Sequence, residues 1–179
     1  MENVVLGLLI IQSLTLYDIN QAFKQGISMF YAASYGSLQI ALKNLLSKEM
    51  IGFEEMVDRG RNKKVYSITP QGRQAFFRWM LEEIPVSKLE TTALAKVYFL
   101  GLVEDVDQRK QIVREIIAKV QVVEGELNSL NEEIKRYEIP EAYEKIARYR
   151  IKTLDYGIKA HAFGRAWFEQ LLQELESDG

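Results

Sequence analysis

A mostly α-helical fold, with an α+β arrangement confined to its N-terminal part, is predicted by three observations. Apolar residues at helical spacing follow Ser34. Two short alternating segments then flank an Arg-Gly-Arg turn. From Val113 onward, apolar residues recur at alternating three- and four-residue intervals.

The first elements are helical. Val4 to Gln12 forms an apolar first helix, and Leu16 to Lys24 a second that buries Leu16, Ile19 and Phe23. Thr15 can cap the second helix and Gly26 can end it. Ser34 is the N-cap of a third helix, ending near Glu49 or Met50, in which Leu38, Ala41, Leu42, Leu45 and Leu46 line the core side. Its other side carries Gly36, Gln39, Lys43 and Ser47, with Ile40 and Asn44 at the margins. Small, amide and cationic groups of this kind can read nucleic acid.

A hairpin follows. Ile51, Phe53 and Val57 lie on one side of its first strand, against Glu54 and Asp58, with Glu55 the exception on the apolar side. Lys64, Tyr66 and Ile68 alternate with Val65 and Ser67 in the returning strand. Between them, Arg59, Arg61, Lys63 and Lys64 gather four cations within six residues at the tip. Thr69-Pro70 is an N-cap followed by a first helical residue, opening a helix with Ala75, Phe76, Trp79 and Met80. Three helices, a hairpin and a helix, in that order, outline a winged helix-turn-helix.

Ile84-Pro85-Val86-Ser87 marks a boundary, giving an N-terminal domain over 1–85 and a helical domain over 86–179. Leu89 to Leu102 is a helix with Leu94, Val97, Tyr98 and Leu102 facing inward, closed by Gly101 and Glu104-Asp105. Val113, Ile116, Val120, Val123, Leu127, Leu130, Ile134 and Tyr137 then form the seam of a coiled-coil-like helix. Pro140 starts a last helix with a seam of Ala147, Ile151, Leu154, Ile158, Phe168, Leu172 and Leu175. The two helices can fold as an antiparallel hairpin. Val113, Ile116, Val120, Val123, Leu127, Leu130 and Leu154 are the expected dimerisation residues. His161 is expected to be packed or to face a partner, and the aromatic residues around it, Tyr156, Phe163, Trp167 and Phe168, are expected in the core.

Composition narrows the function. With 179 residues, 47% hydrophobic and 27% charged, the chain can bury a sizeable core. It has no cysteine and one histidine, so disulfides, thiolate chemistry and zinc clusters find no ligands. The Val4 to Ile11 run lacks a basic leader and a cleavage site, and no segment reaches membrane-spanning length. A cytoplasmic location is expected. No phosphate-binding glycine loop or nucleophile set stands out, so neither an enzyme nor a cofactor is expected. Net charge is −2, with nine Lys and Arg against eight Asp and Glu in residues 1–85 and fourteen against seventeen in 86–179. Any attraction to DNA must therefore be local.

Ser34-Tyr35-Gly36-Ser37-Leu38, Ala41-Leu42, Leu45 and Lys64-Val65-Tyr66-Ser67-Ile68-Thr69-Pro70-Gln71-Gly72-Arg73 carry a resemblance. With Leu6-Gly7-Leu8-Leu9 and Tyr17-Asp18-Ile19, they make the chain similar to PadR-type transcriptional regulators, of the longer subgroup with a helical C-terminal dimerisation domain. The resemblance implies a homodimer on double-stranded DNA, acting as a repressor released by a small apolar or phenolic effector. Tyr35, Ser37, Gln39, Lys43, Arg59, Arg61, Lys63 and Lys64 are the expected DNA contacts. Two departures stand out: Gln39-Ile40 occupies the place of a Tyr-Pro pair, and Leu16 that of a glycine. The alternative from the residues alone is a winged-helix and coiled-coil module that binds protein and not DNA.

Overall fold

The computed structural model describes residues 1–58 and 61–177. Arg59, expected at the hairpin tip, lies outside the described residues, and so does the side chain of Arg61. Seven helices and three strands follow the order α1 (Glu2–Ile11), β1 (Leu14–Thr15), α2 (Leu16–Gln25), α3 (Tyr35–Ser47), β2 (Ile51–Asp58), β3 (Arg61–Ile68), α4 (Pro70–Leu81), α5 (Leu89–Tyr98), α6 (Val106–Ile134) and α7 (Glu144–Ser177) among the described residues. The chain is mostly helical, with a small winged-helix sheet in its first part.

Packing forms two compact units, one of residues 1–82 with 90–103 and one of 83–89 with 104–179. This grouping differs from a division at residue 85, because most of α5 returns to the first unit. There Phe99 meets Phe76 edge-on at 5.7 Å. A Cβ on Gly7 of α1 would stand 2.8 Å from the Phe99 ring, so glycine allows this approach. Ala93, Ala95 and Phe99 are buried, while Tyr98, expected inside, is exposed. Lys96 is also buried, its ammonium donating to the Glu82 carbonyl at the end of α4 and lying 6.0 Å from the Trp79 ring.

Side-chain caps set the helix starts of the first unit. Thr15 accepts from the Asp18 amide, and the Asp18 carboxylate accepts from the Thr15 amide at 3.1 Å, which closes a capping box on α2. Thr69 caps α4 by accepting from Gly72 N, and it donates to the Glu49 carbonyl at 2.8 Å, tying the start of α4 to the end of α3. α3 stops at Ser47, earlier than its apolar pattern suggests, and Glu49 takes a left-handed φ of 55° on the way to β2. A Cβ on Gly72 would lie 2.0 Å from the Met50 carbonyl oxygen, so only glycine fits there.

The sheet has the order β1-β3-β2, antiparallel throughout, with Leu14 opposite Tyr66 and β2 paired to β3 from Ile51↔Ile68 to Asp58↔Arg61. Only the inner end of the hairpin meets the core. Ile51 and Tyr66 are buried, but Phe53 and Val57, expected on an apolar face, are exposed, Val57 at 74%. The outer half of the hairpin is a projecting wing.

In the second unit α6 and α7 run antiparallel, with Arg114 paired to Glu176 at 2.8 Å and Glu124 to Arg165 at 2.8 Å. α6 starts at Val106, well before Val113, because Asp105 accepts from the amides of Asp107 and Gln108. Tyr137 lies beyond its last turn and is exposed, which removes it from the seam. Pro140 precedes a 3-10 turn at Glu141–Tyr143, and α7 begins only at Glu144. Among the described residues, no helix is long and apolar enough to cross a membrane.

Candidate nucleic-acid interface

α3 presents its outer face because its inner face is fully used. Leu38, Ala41, Leu42 and Leu45 are buried, whereas Tyr35, Gly36, Gln39, Ile40, Lys43 and Asn44 are exposed. The start of the helix is held by Ser34. Its hydroxyl accepts from Ser37 N at 3.1 Å, while Ser34 N donates to Ser37 Oγ at 2.9 Å. Ser37, expected to touch DNA, is half-buried, and its hydroxyl also donates to the Ser34 carbonyl at 2.8 Å, so its first role is to fix the helix end.

The far end of α3 is fixed to the first turn of α1. Asn44 donates to Glu2 Oε1 at 3.0 Å, and Lys48 pairs with Glu2 Oε2 at 2.7 Å. The Lys48 hydrogen bond, with smaller help from Asn44, holds the Glu2 carboxyl below its ordinary range against the opposing effect of burial. Asn44 is thereby occupied. No hydrogen bond joins Gln39 or Lys43 to the rest of the described chain, so both reach outward with their capacity unused.

On the wing, neighbouring Lys63 and Lys64 point to opposite faces of β3. Lys64 sits 4.1 Å above the Phe53 ring and 3.9 Å from Glu55 on the adjacent strand. Its charge is partly answered within the hairpin, and Lys63 is exposed. Of the four expected cations, Lys63 and Lys64 are thus split by the strand's own alternation.

The expected dimerisation residues have a different fate from the DNA-facing ones. Val113, Ile116, Val120 and Leu154 are buried within a single chain, Val123 and Leu127 are half-buried, and only Leu130 is exposed. A narrow seam needs a partner, and here the hairpin itself covers most of it. The opposite side of α7 is the open one. Ile146, Tyr149, Tyr156, Phe163 and Trp167 are exposed, with Thr153 and Ala160 filling the same three- and four-residue spacing. Tyr156 at 75% and Phe163 at 73% overturn the expectation of core aromatics, while Phe168 is buried as expected. Their spacing is present in the sequence, but it runs along α7 at the same intervals as the inner seam.

Near the connection that joins α6 to α7, Leu130, Ile134, Ile151, Leu154, Arg150 and Thr153 border a groove of about 510 Å³. Among the described residues no cluster of His, Asp and Glu could hold a metal ion.

Residues 5–78 match the transcriptional regulator PadR-like family. The chain is 22% identical over 176 residues to the negative transcriptional regulator PadR of Bacillus subtilis, covering 97% of this chain and 96% of that one. The structure of Bacillus subtilis PadR in complex with operator DNA aligns at 20% identity and a TM-score of 0.47, covering 97% and 98% of the two chains. A PadR-like regulator from Bacillus cereus aligns at 25% identity and a TM-score of 0.41, covering 99% of each.

Proposed function

Because residues 5–78 match the PadR-like family of transcriptional regulators, we propose that this chain is a member of it and a dimeric, cytoplasmic, DNA-binding repressor. The observation that carries the reading is the exposed face of α3. It is capped at Ser34, tied down at Glu2, and offers Gln39 and Lys43 without partners in the chain. A helix so fixed can enter a major groove with little ordering cost, while Lys63 and the arginines of the wing meet the phosphates beside it. The negative direction follows the description of the curated relative.

Two copies pair through the outward stripe of α7. Four exposed aromatic residues offer roughly 500 Å² of apolar surface per copy, a patch of the size that marks an interaction site. A two-fold dimer places two copies of α3 on half-sites about one helical turn, or a multiple of it, apart. Release comes from a small apolar or phenolic effector. The groove beside Arg150 is of suitable size and character, with apolar walls and one cation.

The test is duplex binding across a salt series. Arg59→Ala with Arg61→Ala should weaken binding to every sequence and, since each of the two copies loses two cations, reduce the salt slope by about four. Absence of duplex affinity at low salt, with the dimer intact, would replace this reading by the protein-interaction module.

A further inference from the structure

We propose that Gln39 and Ile40 make this chain a reader of A·T base pairs, with the Ile40 side chain seated on the 5-methyl group of a thymine. The proposal rests on the DNA-binding reading above and adds what that helix recognises.

Ile40 is 62% exposed, although four apolar residues of α3 are buried around it in sequence. It is not at the margin of the helix. At 3.6 residues per turn, Gly36, Ile40, Lys43 and Ser47 share an arc of about 60°, opposite the arc of Leu38, Ala41, Leu42 and Leu45. Ile40 therefore stands within the outer face, about 30° from its centre line. Gln39 borders that arc on one side. Asn44 borders it on the other and is already bonded to Glu2.

Gly36 sharpens the case. A Cβ there would meet only Ser34 Oγ, at 4.0 Å, and its φ lies outside the left-handed region. Neither packing nor backbone conformation calls for glycine. Its effect is to bare the front of the helix, so that a base edge can come close to the backbone.

The chemistry selects the base pair. A primary amide matches the N7 acceptor and N6 donor of adenine in a bidentate pair, and an aliphatic side chain gains by covering the thymine methyl. An isoleucine within a polar face has nothing to gain from the edges of a G·C pair, which carry no methyl. Adjacent in sequence, Gln39 and Ile40 can address neighbouring pairs on one groove floor.

The experiment starts from the full chain and a random-sequence duplex pool. Binding is then measured on the enriched duplex and on the same duplex with deoxyuridine in place of thymidine at the A·T positions of each half-site. The wild type should lose roughly fourfold per half-site on uracil, the value of one buried methyl. Ile40→Ala should bind the two duplexes alike, and Gln39→Ala should lose its preference at the adenine. Enriched half-sites without A·T pairs, or a wild type indifferent to uracil, would overturn the proposal and leave DNA binding standing. If no duplex is enriched, the DNA-binding reading falls and this inference with it. Ile40→Ala alters an exposed position, and an unchanged circular dichroism spectrum would confirm that it folds.

Discussion

The outer faces of α3 and α7 are both exposed and both unused by the fold, yet they differ in every other respect. α3 is short, fixed at both ends by side-chain hydrogen bonds, and offers an amide, an ammonium, a glycine and a single isoleucine. α7 is long and offers four aromatic residues and an isoleucine at heptad spacing, with no charged group in the row. A face with donors, acceptors and gaps suits a polar, grooved partner whose edges must be matched one by one. A continuous aromatic stripe suits a second apolar helix, for which area matters more than pattern. The inner faces of the same two helices are both apolar and turned to the core, fully buried in α3 and buried or half-buried in α7, so it is the outward residues that assign the two roles.

The largest effect should come from confusing the two sides of the hairpin. Ile116→Ala, inside it, should cost about 3 kcal/mol of stability in urea unfolding while leaving self-association in native buffer unchanged. On the outward side, Tyr156→Glu with Phe163→Glu should give a folded monomer by sedimentation and weaken operator binding by about 100-fold, the loss of joining two half-site contacts. A dimer that survives this double substitution would break the comparison.

Smaller changes probe α3. Ser34→Ala should lower stability by about 1 kcal/mol, read in thermal unfolding, because one amide of the first turn loses its acceptor. Glu2→Gln should cost about 0.5 kcal/mol at neutral pH, as expected of an exposed ion pair. The folded carboxyl of Glu2 lies below its unfolded value of 4.5, so its stabilisation is complete above that pH and is lost as the pH falls through the folded value. The gap between wild type and Glu2→Gln should therefore close in acid.

Local chemistry was legible in the sequence wherever one residue decides the outcome. Thr15, Ser34 and Thr69-Pro70 announce helix starts because a hydroxyl can satisfy a free amide, and the structure places all three as caps. What depends on distant neighbours was not. The two-residue strand Leu14–Thr15 is too short for any periodicity and exists because β3 offers it a ladder. Tyr98, expected inside, is exposed and Lys96 is buried because burial on α5 is set by Phe76 and the end of α4, not by its own pattern. The α3 face was legible as a set of residues. Which of them remain available was not, since Asn44 and Ser37 are engaged by partners that only the fold brings near.

The central claim is that two copies of α3, each with its wing, grip one duplex. Footprinting of the intact protein on the promoter duplexes of its own gene and its neighbours tests this most directly. Two protected half-sites related by a dyad, with centres one helical turn or a whole multiple of it apart, are predicted. Unprotected duplex at low salt, with the dimer intact, would contradict it.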